Sequence, residues 1–298
     1  MTVGGTRFAT ALRAALPKLV LSPSLVLLAV FVYGFIAFTI YLSFTASKIL
    51  PVPDLVGFDN YLKLFQTRAW TIALRNLAVF GTLYVGGGIA LGLGLAILLD
   101  QRIRAEGWLR PIYLYPMALS FIVTGTFWKW FLDPGIGLER ALRLLGWDNF
   151  SFGWIKDPER AIYTVVIAAL WHTSGFVMAL FLAGLRGLDD SVLRAARIDG
   201  AAGLRLYRHI VLPQLKPVFA AAFVILLHMA IKSYDLVIAL TGGGPGRATE
   251  LPATFMYSYT FSRNQMAIGA SAAVVMLMTV TAVIVPYLYG TYRERPRG

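Results

Sequence analysis

Three ionisable side chains fall within one long apolar stretch of the sequence. His228, Lys232 and Asp235 are spaced by four and three positions, which predicts that they share one face of a helix. Ionisable groups inside a membrane-length apolar run are costly, and they usually face a bundle interior or a wet cavity. Two interpretations follow: a structural ion pair between Lys232 and Asp235, or a polar pathway to which Ser233 and Tyr234 also contribute.

A second polar group interrupts an earlier apolar run. His172 and Thr173 can form hydrogen bonds, and Phe176 adds an aromatic face one turn later. Hydrogen-bonding groups beside an aromatic face could line a polar pathway for a small molecule. The alternative is hydrogen bonding between helices, where each bond contributes only about 0.6–2 kcal/mol in a membrane. Together with residues 232–235, these three residues form a candidate substrate pathway.

The longest basic segment of the chain runs from residue 193 to residue 217. Asp189 is a good N-cap type just ahead of it, and Gly200 suits the left-handed residue at which a helix ends. A second short helix is expected to stop before Pro213, because the residue preceding a proline avoids the α conformation. The pattern predicts helix, turn, helix outside the membrane. It fits a basic amphipathic helix on anionic lipid or a docking element for a partner protein.

The same segment carries a family motif, Ala-Ala-x-x-Asp-Gly-Ala followed after about nine residues by Ile-x-Leu-Pro. The matching positions are Ala195, Ala196, Asp199, Gly200, Ala201, Ile210, Leu212 and Pro213. The motif resembles the cytoplasmic loop of the membrane subunits of binding-protein-dependent ABC importers, with which the resemblance extends over nearly the whole chain. The family often has Glu immediately ahead of the two alanines, where this chain has Arg194. A salt bridge that relatives make through that Glu is therefore not expected in this chain.

Composition places the chain among multi-pass membrane proteins. It has 298 residues, 58% hydrophobic and 14% charged, whereas soluble domains carry about 25% charged residues. The net charge of +12 agrees better with positively charged cytoplasmic loops than with nucleic-acid binding. There is no cysteine, and the three histidines lack metal-ligand spacing. No ATP-binding motif and no catalytic set of side chains is present, so we expect a non-enzymatic subunit without a metal or cofactor.

Six uncharged or nearly uncharged runs are each long enough to cross a bilayer. They are 19–47, 76–99, 111–132, 161–185, a fifth starting near residue 217, and 264–292. Pro116 is expected to kink the third span. Gly86, Gly87, Gly88, Gly92 and Gly94 in the second span would let helix backbones approach closely.

Six spans place both termini on one side of the membrane. Lys and Arg number 15 in the tails and loops of that side and 9 in the loops of the other, so the first side is predicted to be cytoplasmic. The predicted organisation is a cytoplasmic tail, 1–18, a six-span permease domain, 19–292, and a second cytoplasmic tail, 293–298. The basic loop, 186–217, then lies in the cytoplasm.

The resemblance implies an all-α type I ABC importer permease (MetI-like) fold in a bacterial inner membrane. It implies a coupling role for the motif residues and four kinds of partner: a second permease, two ATPase subunits that bind ATP and Mg²⁺, a periplasmic sugar-binding protein, and lipid. A Gly-Gly-Pro turn such as that at 243–245 faces the periplasm in relatives. The expected substrate is a sugar, with a lean to glucose or mannose; α-glucosides and glycerol phosphate stay open.

A proton-coupled secondary transporter is the competing class. In that case His228, Lys232 and Asp235 would form a proton relay within the membrane. Dependence of transport on ATP separates the two classes.

Overall fold

In the computed structural model, the described part of the chain is residue 18 and residues 20–101, 106–201 and 203–293, and it is helical apart from loops and one isolated bridge between Thr45 and Leu55. Most of the two predicted tails lies outside these residues. The helices are α1 (Val20–Ser43), α2 (Asp59–Gln66), α3 (Arg68–Asp100), α4 (Glu106–Ala118), α5 (Phe121–Phe131), α6 (Leu138–Leu144), α7 (Ala161–Arg186), α8 (Asp190–Ile198), α9 (Gly203–Leu206, continued by Tyr207–Gln214), α10 (Lys216–Ile231), α11 (Asp235–Leu240), α12 (Pro252–Tyr257, continued by Ser258–Ser262) and α13 (Met266–Arg293).

The all-α fold class is confirmed, and four helices of the described chain have the length and hydropathy to cross a membrane. These are α1, α3, α7 and α13. The α9–α10 pair makes a fifth crossing if its two parts, bent by 61°, count as one span. The count of six crossings stays a prediction, since the remaining segment is two shorter helices.

The predicted third span is interrupted rather than kinked at Pro116. Pro116 lies inside α4, and the helix ends at Ala118. Ser120 is extended, with ψ of 154°, and its hydroxyl accepts a hydrogen bond from the backbone N–H of Val123 at 3.3 Å. A side-chain oxygen that caps the next helix in this way favours a break, so α5 starts anew at Phe121. With 13 and 11 residues, α4 and α5 each fall short of the roughly 20 residues that one crossing needs.

The two ends of the bundle are defined by their loops. We call the end that carries 187–215 the Gly200 end and the end that carries 241–265 the Gly243 end. At the Gly243 end, an aromatic cluster joins α3, α12 and α13: the rings of Trp70 and Phe255 lie 5.1 Å apart, and those of Phe255 and Tyr259 lie 4.0 Å apart. This cluster fixes α12 against the long helices.

The core of the bundle is the contact between α3 and α7. Gly92 faces Val177 and the backbone nitrogen of Met178, and a Cβ at Gly92 would lie 2.9 Å from that nitrogen. Gly87 and Gly88 also contact neighbouring helices, whereas Gly86 and Gly94 have open space around them. The predicted close approach therefore depends on three of the five glycines. Gly175 plays the same part between α7 and α4, where a Cβ would overlap the carbonyl group of Tyr113.

We predict that Gly92→Ala weakens this packing. A methyl group forced into a packed contact costs about 1–3 kcal/mol, and each kcal/mol lowers Tm by roughly 2–4 °C. Thermal unfolding of the purified protein in detergent measures the shift. Gly94→Ala is the matched control, because the same change in the same helix meets open space. Equal Tm values for the two variants would show that the α3–α7 contact does not depend on Gly92.

Candidate functional site: a basic turn and a central cavity

The helix of the basic segment is closed at both ends by local hydrogen bonds. Asp189 accepts a hydrogen bond from the backbone N–H of Ser191 at 2.7 Å, and this bond holds the pKa of the Asp189 carboxyl below its usual range. At the other end Gly200 has φ of +83°. The N–H of Ala201 bonds to the carbonyl of Ala196 at 2.9 Å and that of Gly200 to Arg197 at 3.1 Å. This bond pair is the Schellman motif, so the predicted left-handed helix end is confirmed.

Helix α8 has one buried position and an exposed outer face. Ala196 is buried and belongs to the main hydrophobic core. Ala195, Asp199 and Gly200 are exposed, and Ile198 is 85% exposed. The exposed part of α8 therefore combines small residues with the charged Arg194 and Arg197 and the apolar Ile198.

The second half of the basic segment does not stop before Pro213, contrary to the prediction. The chain passes through a π-helical turn, Tyr207–Val211, and continues as helix to Gln214. Proline lacks an N–H and its ring crowds the carbonyl four residues earlier, and a widened turn accommodates both effects. Ile210 and Leu212 are half-buried and Pro213 is exposed. Ala201 is half-buried at the start of this segment.

Ion pairs link the ends of α3, α4 and α7 beside this segment at the Gly200 end. The Arg186 guanidinium at the end of α7 lies 2.7 Å from the Glu106 carboxylate of α4 and 3.9 Å from the Asp100 carboxylate of α3. Next to Asp100, the Gln101 amide donates a hydrogen bond to the Tyr207 hydroxyl at 3.1 Å. The basic segment is thus joined to the ends of the spans.

The chain unwinds at the polar residues of the predicted fifth span. Helix α10 ends at Ile231, Lys232 caps it, and α11 starts at Asp235. The prediction that His228, Lys232 and Asp235 share one helical face is therefore wrong, because Tyr234 leaves the helical conformation with φ of −120°. None of the ion pairs among the described residues involves Lys232 or Asp235. In the same part of the chain, Nδ1 of His228 is buried without a hydrogen-bond partner.

The unwound residues line a cavity of about 110 Å³ between α3, α5, α7 and the α10–α11 break, which we call the central cavity. Residues 232–235 all contribute to its wall. Phe80 and Tyr84 of α3 and Phe121 of α5 supply most of its aromatic surface. The sequence did not lead us to predict Phe80, Tyr84 or Phe121 as residues of the pathway. Phe80 and Tyr84 are one turn apart and stack at 5.3 Å, a spacing that was visible in the sequence, whereas Phe121 reaches the cavity through packing of α5 on α11.

The residues predicted from the fourth span lie in α7, one layer behind this wall. His172 is buried, its ring lies 4.3 Å from that of Phe121, and its Nδ1 is 3.2 Å from the Thr124 hydroxyl. Thr173 is buried, and its hydroxyl is 2.8 Å from that of Tyr84. Phe176 is half-buried and packs against the main core. His172 and Thr173 thus position two wall residues, Phe121 and Tyr84.

The glycine-rich turn at the Gly243 end is held by hydrogen bonds to α3 and by hydrogen bonds within the turn. The Asn76 amide of α3 donates to the backbone carbonyls of Arg247 and Glu250 at 3.1 and 3.0 Å. The buried Thr249 hydroxyl lies 2.6 Å from that of Thr241. The Glu250 carboxylate accepts a bond from the Arg247 guanidinium at 3.1 Å. Burial raises the pKa of Glu250, and the Arg247 charge opposes that rise.

Among the described residues, no group of His, Asp and Glu side chains could hold a metal ion. The candidate site is a polar, partly aromatic cavity where the chain unwinds between α10 and α11, with the exposed helix α8 at one end of the bundle and the hydrogen-bonded glycine-rich turn at the other.

Comparison with known proteins identifies the family. Residues 88–297 match the family described as "Binding-protein-dependent transport system inner membrane component". The chain belongs to this family. Its members are the non-catalytic membrane permeases of ABC importers, and ATP hydrolysis takes place in a separate subunit. This permease is accordingly a multi-pass membrane protein.

Relatives match over almost the whole permease. It is 41% identical over 281 residues to a protein of Pyrococcus horikoshii named "Probable ABC transporter permease protein PH1215", with 94% of this chain and 96% of that protein covered. It is 35% identical over 273 residues to the "Xylose/arabinose import permease protein XacH" of Haloferax volcanii, with 90% and 86% covered. A chain of a bacterial alginate ABC transporter, solved with a periplasmic protein bound to an alginate pentasaccharide, superposes with a TM-score of 0.81. That chain is 19% identical, with 98% and 99% covered, and supports the fold alone.

We predict that Asn76→Ala loosens the glycine-rich turn. The change leaves two backbone carbonyls without their shared donor, and losing a partner of a part-buried group costs about 1–3 kcal/mol. Hydrogen–deuterium exchange of peptides covering 242–250 is expected to rise at least tenfold. Asn149→Ala serves as the control, because Asn149 is exposed in a loop. Unchanged exchange in the Asn76 variant would contradict the pinned turn.

Proposed function

We propose that this permease carries a sugar across the inner membrane, and that the break at residues 232–234 lies on the sugar's path. The observation that supports this most directly is the cavity at the break. Its wall joins Lys232, Ser233 and Asp235 to the rings of Phe80 and Tyr84. Polar groups that bond hydroxyls beside rings that cover C–H faces are what a sugar site requires.

The names of the relatives support a sugar as the substrate class. XacH is named for xylose and arabinose, and a relative from Thermococcus litoralis, 30% identical over 284 residues, is a "Trehalose/maltose transport system permease protein MalF". These names cover several sugars, so an uptake experiment must decide which sugar this permease carries. Glucose and mannose are the first sugars to test, and xylose, maltose and trehalose follow.

We propose that α8 and the turn after it dock in an ATPase subunit on the cytoplasmic side. The motif residues Ala195 and Gly200 are exposed at the outer face of α8, and the Lys and Arg bias of the loops supports a cytoplasmic position for this end. The buried Ala196 side chain belongs to the core that also contains Tyr84 and Leu236 of the cavity wall. A push on α8 therefore reaches the cavity through packed side chains.

The assembly that this function requires has further subunits. We propose a second, related permease, two ATPase subunits that bind ATP and Mg²⁺, and a periplasmic sugar-binding protein. Nucleotide-driven closure of the ATPase pair would move both α8 segments, and the cavity would then open to one side of the membrane at a time.

Uptake by the reconstituted transporter tests the function. The permease, co-expressed with its cognate second permease and ATPase, is placed in proteoliposomes that contain ATP, with the binding protein outside. We expect uptake of at least one of the five named sugars, and loss of uptake when the ATPase carries an inactivating change. Uptake that survives this change but stops when the proton gradient is collapsed would contradict the proposal and favour a proton-coupled transporter.

We predict that Gly200→Asp uncouples the permease from its ATPase. A side chain in the left-handed conformation costs roughly 1–2 kcal/mol, so the helix end that presents α8 rearranges. Sugar-stimulated ATP hydrolysis by the assembled transporter is expected to fall about tenfold. Gly146→Asp is the matched control, since Gly146 also has a left-handed conformation, φ of +93°, but lies in the 133–160 loop at the Gly243 end. Normal stimulation in the Gly200 variant would remove the docking assignment.

A further inference from the structure

A second, larger cavity opens at the Gly243 end, between α11, the glycine-rich turn and α12. Its volume is about 420 Å³. The lining residues that the argument uses are Tyr234, Arg247, Glu250, Tyr257, Ser258 and Arg263. We propose that this cavity is an outer sugar-binding site, which a sugar occupies before it enters the central cavity. The proposal rests on the proposed sugar import.

Size distinguishes the two cavities. Sites that enclose a small organic molecule usually have volumes of about 300–1,000 Å³. The central cavity, at about 110 Å³, lies well below this range, and the outer cavity, at about 420 Å³, lies within it. Of these two cavities, the outer one has the volume that a sugar needs in the conformation described.

The walls of the outer cavity carry the chemistry that a sugar needs. The rings of Tyr234 and Tyr257 lie 4.8 Å apart at an angle of 40°, and together they offer an aromatic surface for C–H groups. The Glu250 carboxylate can accept hydrogen bonds from hydroxyls, and the Arg263 guanidinium can donate to ring or hydroxyl oxygens. Ser258 adds a hydroxyl on the same wall.

Contacts with neighbouring residues hold these groups in place. The Arg247 guanidinium bonds to Glu250, and Asn76 fixes the backbone of both residues. The Arg263 guanidinium lies over the ring of Tyr259, 4.9 Å from its centre, and that ring belongs to the aromatic cluster that fixes α12. Arg247, Glu250 and Arg263 of the outer cavity are thus each held by at least one contact with a neighbouring residue.

Tyr234 connects the outer cavity to the central one. Its side chain lines both cavities, and it sits in the unwound segment between α10 and α11. The backbone at Tyr234 is not helical, so the ring is free to move. If the ring moved aside, the two cavities would join. Tyr234, packed against Tyr257, is therefore the side chain that a sugar would have to displace between the two cavities.

Cysteine labelling tests occupancy of the outer cavity, because the chain has no cysteine of its own. Ser258→Cys places one thiol in its wall, and Ser151→Cys places one in the exposed 133–160 loop as the control. The assembled transporter, without nucleotide, is labelled with N-ethylmaleimide in the presence of glucose, mannose, xylose, maltose or trehalose. We expect the transported sugar to slow labelling at position 258 at least threefold and to leave position 151 unaffected. Equal rates with and without the transported sugar would overturn the outer site.

A kinetic test separates contact with the sugar from a structural role. Tyr257→Ala is expected to raise the KM for sugar uptake about tenfold, while Tyr257→Phe, which keeps the ring, stays within threefold of the unchanged protein. Tyr41→Ala is the matched control, since both tyrosines are 42% exposed and Tyr41 lies in α1. A lower maximal rate at constant KM would assign Tyr257 a structural role and overturn the proposal.

The two proposals fail in different ways. Uptake of a sugar with neither protection of position 258 nor a change in KM for the Tyr257 variant contradicts the outer site and leaves sugar import standing. Absence of uptake for all five sugars contradicts sugar import, and the outer site fails with it.

Discussion

Backbone N–H and C=O groups find no water in the hydrocarbon core, so a membrane chain can leave the helical conformation only where protein or a wet cavity receives those groups. This permease does so between Ile231 and Asp235, and again at Leu119–Ser120. The helices that start after the two breaks, α5 and α11, pack against each other. Because both breaks meet there, Phe121 and residues 232–235 line one cavity. The position of the cavity follows from where the helices can be interrupted.

Local features of this protein could be predicted from sequence, and the break could not. Asp189 and Gly200 determine the ends of α8 through bonds to residues within five positions, and such signals are legible in the chain. The unwinding at Lys232 has no comparable marker, because a continuous apolar run with a few polar residues fits an intact helix equally well. Phe121 joined the site through a contact between segments more than a hundred residues apart. Such contacts depend on how distant segments pack, and this cannot be predicted from a single sequence.

One continuous core links helix α8 to the cavity. Ala196 of α8, Val211 and Leu215 of the following segment, and Leu236 and Tyr84 at the cavity wall belong to a single cluster of buried side chains. Packed interiors transmit displacement because they leave few voids into which a side chain can yield. The glycines that bring α3 and α7 together add to this stiffness, since the helix backbones themselves are in contact. Helix α8 and the cavity are thus connected by packed side chains without a break in the buried cluster.

The two ends of the bundle are held by contacts of different strength, and this bears on which end moves. At the Gly200 end, α3, α4 and α7 meet through the ion pairs of Arg186, whose side chain is 44% exposed. Solvent-exposed ion pairs contribute only about 0–1 kcal/mol, so they separate at little cost. At the Gly243 end, the Asn76 amide serves two backbone carbonyls in part-buried surroundings, and losing such a donor costs about 1–3 kcal/mol. By these two polar contacts, the Gly200 end is the one whose polar links are more easily broken. It is also the end at which α8 is exposed, so a partner that grips α8 would act where the helices separate most easily.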